Sequence, residues 1–515
     1  VIEVEVHQQL RAFLREQGEP DWPHHLTMAR LVARALRLGR SALIQAGAPS
    51  GHHGRYRLSY LMPLLLWQES AILVAPEPVL QRLLMVELPR LRQWITTDKP
   101  VQMADCWREP GLLLTTPQVW LADRLDPQGR FPQGILTVID GADQLEDWTR
   151  QQLTLTLESQ DWDQLMQQFP QQADLIRDQR VQLTRTIFQH PANPYERYLL
   201  EASDRAALSQ MMAQIAQPDC PPIWSPVWQQ LQERLLDEQQ ICWAEVVRSQ
   251  GQFCLHLAPA EVAARLQAVW QQQPVVLIGG ALDLEADAAI FKQRLGLEDL
   301  TCIKFSLHRQ HELVQLYLPD GLPMPNTPQF QPMLIQEIRA LLTASQTANQ
   351  GLTVLLVGDL PLKAQVGSVL AGELGSRVQV EKTCLEETSI LVTGWEFWRD
   401  HQAVLPAPHL LVIATLPLPS LEDPLVAGRV AVYKRSRQDW FRLYLLPQAL
   451  AELQRAVAPV RGHGVVALLD NRVNHRTYGQ QVLTALSPLA RINYLDASLF
   501  TQFEVTQFEG LMPED

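Results

Sequence analysis

Two places in this sequence carry residue types and spacings suited to chemistry. An apolar run, SALIQAG (41–47), ends in glycine and gives way to a loop of Gly, Pro, Ser and His that contains Gly47, Gly51, His52 and His53. The apolar stretch LSYLMPLLLW follows it (58–67). A strand that enters a glycine-bearing loop and then a helix sets that loop at the strand's carboxyl end, where open α/β sheets bind their ligands. Arg55 and Arg57 stand in this loop and are read as solvated arginines. The second place is residues 425–480, with nine arginines and lysines against three acidic residues, a local charge of +6 in a chain of net charge −13. Arg435, Arg437 and Arg442, interleaved with Tyr433, Trp440 and Phe441, have the composition of a surface that tracks a nucleic-acid backbone and stacks its bases. The six cysteines are scattered without a CxxC pair, so neither a zinc ribbon nor a disulfide framework is expected.

The elements that must position these residues read as α/β. At 515 residues the chain exceeds one ordinary domain, and with 46% hydrophobic and 19% charged residues it has globular composition. Its 43 basic residues against 56 acidic exclude a uniformly basic coat, so any nucleic-acid contact must be local. HHLTMARLVARALRLGR (24–40) has apolar residues at helical spacing. Buried-strand runs recur at 71–76, 111–116, 134–140, 251–257 and 274–282, and from about 300 in LVQLYLP, LTVLLVGD, RVQVEK, ILVTG, HLLVIATLP and GVVALLD. Such alternation with helical patterns predicts parallel sheets covered on both faces. Between about 148 and 240 the text turns rich in Gln and Leu and is read as helical. No apolar run is long enough to span a bilayer, the first residues lack a secretory pattern, and the expectation is a cytoplasmic protein with reduced thiols.

A series of segments then points to a family. PVVLIGGALDLEADAAIFKQRLGL (274–297), LPDGLPMPNTPQFQPMLIQEI (318–338), LVTGWEFW with HLLVIATLPLPSLEDPL (391–425), DWFRLYLLPQALAELQR (439–455) and GVVALLDNRVNHRTYG (464–479) occur in the order seen in the DinG/XPD branch of superfamily-2 helicases. The sequence resembles that branch from about residue 20 to 490. The resemblance implies two RecA-like domains: the first at 1–150, completed with a crossover at 246–295, a helical insertion at 151–245, the second domain at 296–505, and an acidic tail at 506–515.

The resemblance also implies a nucleotide cleft, and each of its motifs is altered here. The family's adenine-reading Arg-Pro and Gln correspond to Trp22-Pro23 and His25, with Trp22 read as a packing residue. The phosphate loop is Ala46-Gly47-Ala48-Pro49-Ser50-Gly51-His52-His53, in which the glycines Gly47 and Gly51 remain. Pro49 removes a backbone N–H, His52 replaces the phosphate-binding Lys, and His53 replaces the hydroxyl that holds Mg²⁺. The Asp-Glu-Ala-His motif is Asp140-Gly141-Ala142-Asp143: the Mg²⁺ anchor stays, while the water-orienting carboxylate is lost. The following Ser-Ala-Thr-Leu is Gly279-Gly280-Ala281-Leu282, and the expected Phe-Trp-Glu-Gly is Phe397-Trp398-Arg399-Asp400. In the last motif Gln454 and Arg461 survive, but the first arginine is Ala458. The interval 77–138, where DNA-helicase members carry a four-cysteine iron–sulfur cluster, holds Cys106 alone, so no cluster is expected.

These losses predict a pseudo-helicase that binds single-stranded nucleic acid, a protein partner, or both, without turning over ATP. His25, Gly47, Gly51, His52 and His53 are then remnants of a nucleotide site, and Asp140, Asp143, Gln454 and Arg461 are vestiges of the catalytic one. Arg435, Arg437 and Arg442 are the candidate nucleic-acid contacts. No cofactor, metal or membrane is expected. Two alternatives stay open: a divergent but active helicase that uses ATP and Mg²⁺, and an architectural subunit that binds protein through the insertion. A further alternative places a transition metal on His25, His52, His53, Asp140 and Asp143.

Overall fold

The runs ALIQ, AILV, LLLT, TVID and VVLIG form strands buried at every position, which requires cover on both faces of their sheet. The computed structural model of the chain describes residues 2–17, 22–47, 54, 56–216, 224–298, 300–306, 312–348, 351–496 and 498–501. In chain order, β1 (Ala42–Gln45), β2 (Ala71–Val74), β3 (Val101–Met103), β4 (Leu112–Thr115) and β5 (Thr137–Asp140) begin the first sheet. β6 (Leu155–Leu157), β7 (Arg197–Leu199), β8 (Gln240–Val247) and β9 (Gln252–Pro259) form a separate one, and β10 (Val275–Gly279) and β11 (Thr301–Lys304) return to the first. The first sheet has the order β11-β1-β10-β5-β2-β4-β3, and every pairing is parallel.

Side chains alternate across it. Leu43, Ile72, Leu113, Ile139 and Leu277 enter one apolar core; Ile44, Leu73, Leu114, Val138 and Ile278 enter the other. Register sets Gln45 beside Gly279 and Ile278 beside Asp140, so the carboxyl ends of β1, β10 and β5 form one rim. The second domain repeats the plan with β12 (Val314–Tyr317), β13 (Thr353–Leu356), β14 (Val378–Val380), β15 (Ile390–Thr393), β16 (Leu410–Ile413), β17 (Val465–Leu468) and β18 (Leu489–Ile492). Their order is β14-β15-β13-β16-β17-β12-β18, again all parallel. The fold class is therefore the expected one, two parallel-sheet α/β domains.

The insertion differs from its reading as helical. It holds the helices Ser159–Gln168, Ala173–Gln189, Ala202–Ile215 and Pro226–Arg234, together with a four-stranded antiparallel sheet, β6-β9-β8-β7. β6 and β7 have three residues each, too few to show an alternating pattern. β8 hides its alternation because both faces are covered: Cys242, Ala244 and Val246 enter the insertion's own core, while Ile241 and Trp243 pack beneath the helix Pro424–Arg435 of the second domain. The insertion accordingly runs on past 245 through β9, and the first sheet runs on past 295 to β11. Among the described residues no helix is long and apolar enough to cross a membrane. The tail at 506–515 lies outside them.

Candidate functional site

The rim is built around Asp140, the last residue of β5 and 1% exposed. The helix Arg57–Leu66 enters the core with nearly every side chain buried, and it presents two hydroxyls four residues apart to this carboxylate. Tyr56, its N-cap, donates to Oδ1 at 2.7 Å, and Tyr60 donates to Oδ2 at 2.9 Å. The Arg57 Nε lies 3.6 Å from Oδ2. Burial pushes the Asp140 carboxyl above the ordinary aspartate range, against the pull of Arg57 and the two tyrosines. Burial and the neighbouring Asp140 push both tyrosine hydroxyls well up, so they remain protonated donors. Arg57 is 4% exposed, which corrects its reading as a solvated loop arginine.

Asp143 is turned the other way. Its Oδ2 accepts from the Gly280 N–H at 3.0 Å and its Oδ1 from the Ala281 N–H at 2.8 Å, tying the β5 loop to the end of β10. A Cβ on Gly279 would lie 2.7 Å from Asp143 Oδ2, so glycine here and aspartate there fit as a pair. Gly141 has φ 89°, a left-handed backbone, and a Cβ on it would meet Trp148 at 3.2 Å. The position that holds the catalytic carboxylate in the resemblance is thus shaped for a residue without a side chain.

Trp22 is buried with its ring edge-on to His25 at 5.1 Å and to Phe305 at 5.5 Å, a packing role as expected. His25 Nδ1 bonds the buried Ser59 hydroxyl at 2.9 Å, and His24 stacks on Phe305 at 4.8 Å. Gly47, at φ 74°, turns the chain out of β1; Gly51, His52, His53 and Arg55 lie outside the described residues. Among the described residues no group of three or more His, Cys, Asp and Glu is arranged to hold a metal. A cavity of about 310 Å³ is lined by Arg124, Arg265 and the glutamines that precede β5 and β10 (Gln133, Gln272, Gln273), at the opposite ends of these strands from Asp140.

In the second domain, Gln454 donates to the Ala485 carbonyl at 3.2 Å and Arg461 to the Glu312 carbonyl at 3.2 Å. Burial pushes the Arg461 guanidinium down to about 10. Both bond within their own domain. The basic segment is not one surface. Arg429 is buried, Arg455 pairs with Glu452 at 3.5 Å, and Arg472 pairs with Asp470 at 2.5 Å. Arg435 donates to the Glu238 carbonyl of the insertion at 2.5 Å. Arg437 is exposed, Arg442 is exposed beside Asp439 at 3.6 Å, and Lys434 lies over Trp440 at 5.4 Å.

Residues 407–489 match the Helicase C-terminal domain family. The ATP-dependent DNA helicase YoaA of Haemophilus influenzae is 27% identical over 262 residues, 48% of this chain and 40% of that protein. Its Escherichia coli namesake is 26% identical over 259 residues, 46% of this chain and 40% of that protein. The chain thus spans 40% of the length of the curated relatives it matches. The structure of S. tokodaii Xpd4 superposes with TM-score 0.58 at 12% identity, covering 92% of this chain and all 100% of that one. An apo XPD structure does so with TM-score 0.56 at 12% identity, covering 90% and 100%. The chain is a helicase-fold protein related to the DinG/XPD helicases.

Within this helicase fold, the partners of Asp140 are what sequence reasoning missed. Tyr56 and Tyr60 stand one helical turn apart just before the apolar run LMPLLLW, a spacing that puts two hydroxyls on one helix face. A second buried cluster also went unseen: Glu146 receives Arg150 at 2.6 Å, Arg429 at 2.5 Å and Arg294. Burial alone would raise the Glu146 carboxyl, but Arg294, Arg429 and Arg150 hold it well below the usual glutamate range. Only the Glu146–Arg150 spacing was legible, as an i,i+4 pair.

Proposed function

We propose that this chain is a pseudo-helicase: it keeps the two-domain helicase scaffold, binds single-stranded nucleic acid on the exposed part of its second-domain arginine segment, and does not hydrolyse ATP. The observation that carries this reading is the state of Asp140. A carboxylate that anchors Mg²⁺ presents an oxygen to the phosphates, and here each oxygen of Asp140 accepts a tyrosine hydroxyl, at 2.7 and 2.9 Å, on a residue 1% exposed. A metal–triphosphate does not fit a carboxylate so engaged and so buried. Gly141 and Ala458 support the same reading, since neither supplies the charged group that the chemistry uses at its position. A four-thiolate iron–sulfur cluster does not fit the interval between β2 and β5, which holds Cys106 alone.

For nucleic acid, the support is narrower than the sequence suggested. Arg437 and Arg442 are exposed near Trp440 and Phe441, a cation–aromatic surface suited to a strand backbone and its bases. Arg435 is engaged with the insertion and acts there first. The test is phosphate release by the purified chain with ATP and Mg²⁺, with and without single-stranded DNA. No release above a protein-free control is expected. DNA-stimulated release that disappears in Asp140→Ala would establish a divergent active helicase instead.

A further inference from the structure

The helix Pro424–Arg435 belongs to the second domain, where Val426, Val430 and Tyr433 pack with Tyr444 and Leu445, yet it turns Gly428, Arg429 and Val432 to other parts of the chain. Arg429, 6% exposed, lies 2.5 Å from Glu146, in the helix Leu145–Leu153 that continues from Asp140 and Asp143. The same guanidinium sits over the Tyr444 ring at 3.8 Å. Gly428 rests on the insertion's sheet: a Cβ there would meet Ile241 at 2.8 Å and Leu199 at 3.2 Å. One turn on, Val432 joins Ile241, Trp243, Ala258 and Ala260 in a shared apolar cluster. At the helix end Arg435 bonds the Glu238 carbonyl.

We propose that this helix is a fixed wedge that holds the two RecA-like domains in one closed arrangement, with the Glu146–Arg429 pair, rather than a bound nucleotide, setting their relative position. Glu146 faces three guanidiniums, two from its own domain. Opening the cleft would leave Glu146 with Arg150 and Arg294 but strand Arg429 without its counter-charge, and breaking one side of a buried pair is strongly unfavourable. It would also return Val432, Ile241 and Trp243 to water. A ligand moves a two-state equilibrium only by its differential affinity for the states, and inverting a 99:1 population takes about 10⁴-fold. The wedge therefore makes the domain arrangement insensitive to ligands of ordinary selectivity.

The test is small-angle X-ray scattering of the full chain, free, with ATP and Mg²⁺, and with single-stranded DNA. The native chain is expected to give one compact profile whose radius of gyration does not change among the three. Arg429→Gln, which leaves Glu146 paired within its own domain, is expected to lengthen the maximum dimension. It is also expected to speed hydrogen exchange in the 424–435 helix on the order of a hundredfold, the scale of a broken buried pair. Gly428→Leu, which lifts the helix from Ile241 without touching a charge, serves as the second variant should the first not fold. A native profile that contracts or expands with nucleotide, or variants indistinguishable from the native chain in both measurements, would overturn the proposal.

Discussion

Replacing Asp140 with alanine is expected to weaken the fold rather than remove an activity. In a working site the metal-binding carboxylate faces solvent and ligand, and its loss leaves the core intact. Here the side chain is the shared acceptor of Tyr56 at 2.7 Å and Tyr60 at 2.9 Å, with Arg57 at 3.6 Å. Alanine leaves two buried hydroxyls without their acceptor, at about 1–3 kcal/mol each, so the loss is about 2–6 kcal/mol. The longer Arg57 contact adds less. At about 2–4 °C per kcal/mol for a domain of this size class, the first unfolding transition should fall by about 4–24 °C. The sign of the pH dependence follows from burial. The folded-state carboxyl is raised, so the native chain gains stability from this group as pH falls through that value, and the alanine variant does not. The gap between the two should therefore widen on mild acidification. Asp140→Asn keeps one acceptor oxygen and should lose less. Differential scanning calorimetry, following the lowest transition across pH, reads all three. An alanine variant that melts within about 2 °C of the native chain at every pH would refute the reasoning, because a surface-like substitution has that effect.

Gly141→Glu, which writes the family's carboxylate back, should cost about 1–3 kcal/mol for a side chain in a left-handed backbone and bring no phosphate release; calorimetry and a release assay decide it. Glu146 has a depressed folded-state pKa, so its stabilisation is complete above the ordinary glutamate value of about 4.3 and is lost as pH falls below it; Glu146→Gln should flatten the acid limb of urea-denaturation midpoints, and an unchanged limb would exclude the cluster as its source. Arg437→Glu and Arg442→Glu should weaken single-strand binding and lower the slope of log affinity against log salt by about 0.7 for each phosphate that is no longer neutralised, read by fluorescence anisotropy. Arg435→Glu should in addition lower the melting temperature, since its guanidinium bonds the insertion.

The central strands of both domains were legible because parallel strands buried on both faces leave short continuous apolar runs of four or five residues, whereas the partly exposed edge strands β3, β11 and β18 carry no such run and went unread. The insertion was only half legible. β6 and β7 are too short to carry a period, and the period of β8 is masked by a helix that comes from the second domain. In the candidate site, the altered motifs could be read one by one against the family's pattern: the glycine at 141, the alanine at 458, the aspartate kept at 140.

What each surviving residue does could not be read in that way. Asp140 looks like a metal anchor in sequence, and becomes a buried acceptor only because Tyr56 and Tyr60, 84 and 80 residues earlier, fold over it. Arg429 and Arg435 count as positive charge in sequence. The tertiary structure commits the first to Glu146, 283 residues away, and the second to a carbonyl 197 residues away. Composition and periodicity determine which segments are buried, since burial follows from the hydrophobicity of neighbours along the chain. Which charge is available to a ligand depends on desolvation and on partners brought together across the fold, and only the packed structure decides that.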